Sequence, residues 1–411
     1  MEEKARFVLE YQQDVCTMTE LCQRYGIARE TGYVWLRRYQ QTGLEGLREL
    51  PRAPHQPANQ TPAEIEKAVL QLRQAHMRWG PRKLKRVLER DQPQRMWPAV
   101  STIGAILKRE GLVVARRKRW RTAPYSEPLA HADGCNRVWC ADFKGWFRTR
   151  DGQRIDPLTI SDAYSRYLLR CQAVAKTDTV QVQAVFEAAF REYGMPQAIR
   201  TDNGAPFAST AVAGLSRLAV WWMKLGIVPE RIQAGHPEQN GRHERMHRTL
   251  KQETAMPPAA NHRAQQRTLD RFRQEFNHVR PHEALRMQTP AAVYVPSLQA
   301  FPARLPEPEY PDTMRVLSVR RKGHFRWRKR DVFLSEVLWG ERVGFLPLDD
   351  RWFTIYFAQL PLARFDSQTL QVLSLPPAKD RGMADAGEGE VSPSPAPHPL
   401  YQEKVSGMCP V

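Results

Sequence analysis

At 411 residues the chain is long enough for about two to four compact units, and 42% hydrophobic with 9% aromatic residues excludes a wholly disordered protein. Sixty-two Lys and Arg against 44 Asp and Glu leave a net charge of +18 and a pI near 9.9, which favours polyanionic partners, nucleic acid before an acidic membrane surface. No apolar run approaches the roughly 18 to 20 residues of a membrane span, the opening MEEKARFVLEYQQD is no secretory signal, and six scattered cysteines without a Cys-x-x-Cys pair suit a reducing compartment.

In chain order, residues 1–50 read as short helices. Val8, Leu9 and Val15 suggest one apolar stripe. Two further helices flank Gly26, the second starting near Arg29 and rich in Arg, Tyr and Trp, which is a helix-turn-helix pattern. Arg29, Tyr33 and Arg37 are its candidate DNA-reading residues. A plain helical hairpin with a solvated basic face gives the same pattern. A Pro-rich linker (51–62) leads to a second helix-turn-helix-like module within 51–114. There Thr61 and Ser101 are candidate helix caps, and Arg82, Lys83, Lys85, Arg86, Lys108 and Arg109 make it basic. Residues 115–134 form a basic linker in which Arg116, Arg117, Lys118 and Arg119 are placed to track phosphates.

From residue 135 the pattern becomes α/β. Strands are expected at 138–147, 157–160, 167–174 and 198–202, with a hairpin at Asp151-Gly152. Helices are expected at 178–193, about 211–225, 236–251 and 262–278. Residues 301–375 hold short strands at the spacing of a small β-barrel, where seven bases from Arg320 to Arg330 surround Phe325 and Trp327. Residues 376–411 are expected to be a disordered tail.

Three acids in the α/β region carry the chemistry. Asp142 lies inside an aromatic strand, a place that disfavours Asp; Asp202 ends a strand before Asn203-Gly204; Glu244 is on a helix with Arg248 and Lys251 at i+4 and i+7. Each has an ordinary structural explanation: a paired strand acid, a turn residue, a surface ion pair. Together they suit two divalent cations, because phosphodiester chemistry needs hard oxygen ligands holding two metals about 4 Å apart.

The motifs WCADFKG, PLTISDAYSRYLL, TDNGAPF, HPEQNGRHERMHRTLK and FNHVRPHEAL, in that order over about residues 135–295, resemble the DDE transposases of bacterial insertion sequences and the retroviral integrase superfamily. The resemblance implies a multidomain protein: N-terminal all-α helix-turn-helix modules, an RNase H-like integrase core (135–300), a small β-barrel (301–375) and a tail. It implies Asp142, Asp202 and Glu244 as catalytic metal ligands for two Mg²⁺, with Mn²⁺ as substitute, and Arg248 and Lys251 facing DNA. It also implies that element ends and target DNA are the partners, that at least two copies act together, and that the protein works in the bacterial cytoplasm at the nucleoid. Asn277, Arg280, Pro281 and His282 are read as closing the fold.

Two departures matter. Forty-one residues separate Asp202 from Glu244, whereas Glu238, with 35, has the spacing usual in the family. Glu244 is preferred because it follows Gly241 and heads the helix ending TLK. No N-terminal His₂Cys₂ zinc module is present. Two other functions fit parts of the sequence: a non-catalytic DNA-binding regulator that keeps the core for dimerisation, and a zinc protease using His243-Glu244-Arg245-Met246-His247 as HExxH. The protease reading leaves Asp142, Asp202 and the basic N-terminus unexplained.

Overall fold

The computed structural model describes residues 2–14, 16–49, 60–113, 132–232 and 241–375. The described residues form two compact units, divided at Arg78/Trp79, Met96/Trp97 and Ile106/Leu107. The expected 51–114 module therefore contributes to both.

In the first unit α1 (Glu2–Gln12), α2 (Met18–Arg24) and α3 (Arg29–Thr42) enclose Phe7, Val8, Met18, Leu21, Cys22 and Leu47. Thr17 starts α2 with a reciprocal capping box to Glu20. The expected apolar stripe on α1 is corrected: Phe7 joins Val8 in the core, Leu9 is exposed, and Val15 is outside the described residues. A Cβ on Gly32 would come within 2.8 Å of Phe7 and of the Cys22 sulfur, so α3 packs there only because the position has no side chain. The next helices are α4 (Ala63–Ala75), α5 (Pro81–Asp91) and α6 (Val100–Arg109). Neither expected cap is used. Thr61 precedes a proline, which pushes it to extended backbone outside the helix, and Pro62 is the N-cap of α4; Ser101 already lies inside α6.

The second unit is built on a mixed sheet of β1 (Val138–Phe143), β2 (Phe147–Arg148), β3 (Arg154–Asp162), β4 (Leu168–Val174), β5 (Ala198–Thr201) and β6 (Val228–Arg231). Its path is β2-β3-β1-β5-β6 with β4 also on β3. β3 is antiparallel to β1 and β4, whereas β1, β5 and β6 are parallel. The strand expected at 138–147 is two, broken at Gly145, where φ is +85°. One face carries α7 (Thr179–Tyr193), capped by Asp178, and α8 (Arg217–Lys224). They bury Val182, Phe186, Phe190, Leu218 and Trp222 against Trp139, Leu158, Ile160 and Ile199. The other face carries α9 (Gly241–Thr254) and α10 (His262–Gln274), which pack Met246, Leu250, Leu269 and Phe272 on Ile155, Leu168, Cys171 and Ala173. Side-chain alternation along a strand sends neighbours to opposite faces, which is how one apolar strand feeds two cores.

Edge strand β4 is closed off by α10 and the residues after it. Asn277 accepts from the Leu168 amide (2.8 Å) and donates to its carbonyl (2.9 Å). Gln266 does the same for Ala173 N and Cys171 O, and Arg273 donates to Leu169 O. An edge whose outward amides and carbonyls are satisfied by side chains cannot template another strand. Arg280, 5% exposed, binds both Glu253 oxygens at 2.7 Å and Glu275 at 3.2 Å. Burial lowers the His282 pKa to about 3, with Lys83 adding to the effect. These residues close the fold.

The C-terminal strands are β7 (Arg315–Ser318), β8 (His324–Trp327), β9 (Arg330–Phe333), β10 (Arg342–Pro347), β11 (Trp352–Phe357), β12 (Leu360–Asp366) and β13 (Gln371–Ser374). They form a five-stranded sheet, β13-β12-β11-β10-β7, and a two-stranded β8–β9 sheet around one apolar core, a small β domain in the place where a small barrel is expected. Helix α8 serves both cores: Leu218 and Trp222 face the central one, whereas Ala219, Val220 and Met223 meet Phe325, Phe345, Phe357 and Phe365. Lys224 pairs with Glu341 at 2.9 Å. No helix among the described residues is long and apolar enough to cross a membrane. The expected tail, 376–411, is outside the described residues.

Candidate active site

β1 and β5 run side by side in parallel, with Val138 beside Ala198 and Cys140 beside Arg200. Carried two places further, past the end of β5 at Thr201, that register would set Asp142 level with Asp202, one inter-strand spacing of about 4.8 Å away. Trp139, Ala141 and Ile199 face the α7 side, so alternation turns Cys140 and Asp142, and with them Arg200 and Asp202, to the α9 side. Both acids are half-buried. The turn after β5 shapes the second: the Gly204 amide donates to Asp202 Oδ1 (3.2 Å), and Asn203 Nδ2 donates to Ile232 O (3.0 Å). A Cβ on Gly204 would stand 3.1 Å from Asp202 Oδ2 and press on the carboxylate. On the same strand Arg200 binds Glu230 of β6 at 2.9 Å, which neutralises the next acid along the sheet.

Helix α9 lies on this face. Among its described side chains His243, Met246, His247, Leu250 and Thr254 are buried, and the two histidines reach Thr159 of β3. His247 Nδ1 stands 3.8 Å from Asp142 Oδ2. A helix advances about 100° per residue, so the turn from His243 to His247 continues towards Glu244. Glu244, Arg248 and Lys251 share that flank and are exposed. Among the described residues no group of three or more His, Cys, Asp or Glu side chains is arranged to hold a metal ion as it stands.

The HExxH reading does not survive this geometry. Both Nε2 atoms are turned to the Thr159 hydroxyl, at 2.8 and 2.7 Å, and the rings are buried edge to face. Burial lowers the His243 pKa to about 4. Burial, with His243 and Lys144 nearby, lowers that of His247 to about 2, so both rings are neutral at physiological pH. They are structural. Thr159, fully buried in an apolar strand, carries no signal in the sequence; its role is visible only once α9 is laid over β3.

On α3, Arg29, Tyr33 and Arg37 are all exposed and lie four apart, on one stripe. Arg116, Arg117, Lys118, Arg119 and Glu238 are outside the described residues. In the C-terminal domain Phe325 and Trp327 are 0% and 2% exposed, so they are core rather than part of a basic face. The seven bases around them point outward.

Residues 132–237 match a family model described as Integrase core domain, and residues 225–290 match a second of the same description. This stretch of the chain is similar to an integrase core. Ahead of this core, residues 3–55 match a Helix-turn-helix domain and residues 31–107 a Homeodomain-like domain. Over 228 residues the chain is 28% identical to an uncharacterized 31.7 kDa protein of insertion element IS407 from Burkholderia multivorans, covering 54% of this chain and 78% of that one. It is 26% identical over 234 residues to an uncharacterized 39.2 kDa protein of insertion element IS476 from Xanthomonas euvesicatoria, covering 56% and 65%. Among solved structures, the HTLV-2 integrase catalytic core domain in complex with magnesium overlaps 39% of this chain and 96% of its own, at 15% identity and a TM-score of 0.28. So loose an overlap supports no residue-by-residue comparison.

Proposed function

We propose that the chain is a DNA transposase whose helix-turn-helix modules find the ends of an insertion element and whose core cuts and joins strands there. Asp142, Asp202 and Glu244 are the catalytic carboxylates and would hold two Mg²⁺ ions, or Mn²⁺ in their place. The observation that carries the reading is the parallel pairing of β1 with β5, whose register carried two residues on would bring Asp142 beside Asp202 on the face that α9 covers. The donor set fits the ions: carboxylate oxygens are hard ligands, and the exposed flank of α9 leaves space for the waters that Mg²⁺ retains. When bound, such ions supply activation of the attacking oxygen and stabilisation of the leaving one.

Arg248 and Lys251, on the flank of α9 that carries Glu244, would hold DNA phosphates beside the carboxylates. In the first step water attacks the phosphodiester at an element end; the P–O bond to the 3′ oxygen breaks and that oxygen leaves as a 3′-OH. In the second the same 3′-OH attacks a target phosphodiester in line, and a target 3′ oxygen leaves. No protein nucleophile enters either step. Joining two ends to one target requires at least two copies. The regulator reading is disfavoured because all three acids are retained.

Incubating the full chain with candidate element ends and Mg²⁺, then mapping nicks at nucleotide resolution, tests the proposal. Nicks with 3′-OH ends at the element boundary are expected. No nicking of any end that the protein binds specifically overturns it.

End recognition gives a second test. Tyr33→Ala or Arg29→Ala in the full chain should reduce the preference for end DNA over random DNA by roughly 5- to 100-fold, the range of discrimination that one base-reading side chain supplies. Neutralising Arg116, Arg117, Lys118 and Arg119 should instead weaken binding to both DNAs and flatten the salt dependence by about 0.9 in log–log slope for each phosphate no longer neutralised. Fluorescence anisotropy at several salt concentrations reads both. Unchanged preference in the α3 variants would move recognition elsewhere.

A further inference from the structure

Thr159 sits opposite Asp142 in the β1–β3 register and is fully buried. Its Oγ1 lies 3.1 Å from the Asp142 carbonyl oxygen, 2.8 Å from Nε2 of His243 and 2.7 Å from Nε2 of His247. A hydroxyl has one proton and two lone pairs, and a carbonyl only accepts. One assignment serves all three contacts: the hydroxyl donates to Asp142 O, and each ring donates from Nε2–H. Both imidazoles are then the same neutral tautomer with Nδ1 as an acceptor. For His247 that acceptor faces Asp142 Oδ2 at 3.8 Å.

We propose that this three-way junction sets the distance between helix α9 and strand β1, and so between Glu244 and Asp142. Thr159, His243 and His247 are thus positioning residues for the carboxylate site; the inference rests on the transposase reading above. The junction is suited to the task because Thr159, on β3, holds one arm from β1 and two from α9, the two elements that carry those acids. It is buried, so water cannot replace a missing arm cheaply. Mg²⁺ demands near-ideal octahedral geometry, so a small shift of α9 is enough to disturb binding.

The test uses the full chain and Mn²⁺ alone as probe, with binding read by calorimetry and by the electron paramagnetic resonance signal of free Mn²⁺. Thermal melting and DNA binding report folding. Thr159→Ser keeps the hydroxyl, and His243→Gln keeps a donor nitrogen at the reach of Nε2; both should bind Mn²⁺ within about twofold of the parent, well below the 10- to 100-fold loss typical when a group that orients a metal ligand is removed. Thr159→Val and His243→Asn remove an arm and should weaken Mn²⁺ binding by about 10- to 100-fold. If Thr159→Val fails to fold, the His243 pair decides. Folded Val and Asn variants that bind Mn²⁺ like the parent overturn the junction. Asp142→Asn separates the two ideas. If it abolishes Mn²⁺ binding while Thr159→Val and His243→Asn do not, only the junction falls. If it leaves binding unchanged, or the parent binds no Mn²⁺, the carboxylate reading falls with it.

Discussion

Asp202→Asn should abolish both strand cleavage and strand transfer, lowering each by roughly a thousandfold or more, and Asp142→Asn should do the same. Asn keeps the size of Asp and one acceptor oxygen but removes the negative charge that a divalent cation requires. A loss of several kcal/mol of transition-state stabilisation corresponds to that range. The substitution is mild for the fold. Asp202 takes one hydrogen bond from the Gly204 amide, which an amide oxygen can also accept. Asp142 lies at the end of a strand whose core contacts are made by Trp139 and Ala141. End binding should therefore be kept, because Arg29, Tyr33 and Arg37 lie in the other compact unit. Cleavage and joining on labelled end duplexes in Mg²⁺ and in Mn²⁺ would measure it. Joining retained by Asp202→Asn in both ions would remove Asp202 from the site.

What the sequence revealed about the core follows from how each feature is encoded. The α7 pattern Val182, Val185, Phe186, Ala189, Phe190, Tyr193 is local, so the helix and its buried face are readable from spacing, and Asp178 marks its start. The strands are readable because their apolar runs are bounded by turn residues. Pairing is not. Nothing in the order of segments states that β5 lies parallel beside β1, yet that pairing is the basis for placing Asp142 near Asp202. The junction at Thr159 is hidden for the same reason: its partners are 84 and 88 residues away. Gln266 and Arg273 likewise read as solvated helix residues until β4 is set beside them.

The misreadings have physical causes too. Hydrophobicity alone puts Leu9 in a stripe, but the turn of α1 buries Phe7 and Val8 instead. Phe325 and Trp327 alternate with Arg326, so a basic run and a core strand share one segment; alternation hides which face is which until the sheet is formed. The HExxH pattern is real as a pattern and misleading as chemistry. Its histidines are one turn apart on a buried face, which serves packing as well as it serves zinc.

Glu244→Gln should abolish cleavage and joining, whereas Glu238→Gln should retain most of both. Simple spacing favours Glu238, which lies outside the described residues; the geometry of α9 favours Glu244. The helix is tied down by His243 and His247, and of these His247 is the one near the Asp142 carboxylate. Glu244 lies on the flank reached by turning from His243 past His247, and Arg248 and Lys251 extend that flank along the helix. An acid there can swing towards Asp142 without disturbing the buried contacts of Met246 and Leu250. The extra residues between Asp202 and Glu244 would then belong to the stretch that forms α8 and β6, where α8 has the additional task of supporting the β domain. Zinc content distinguishes the remaining possibility: His243→Ala combined with His247→Ala should leave stoichiometric zinc as it was in the parent, none bound at this site. Measured side by side on one end substrate, an inactive Glu238→Gln with an active Glu244→Gln would mean that spacing, not the helix face, identifies the third carboxylate.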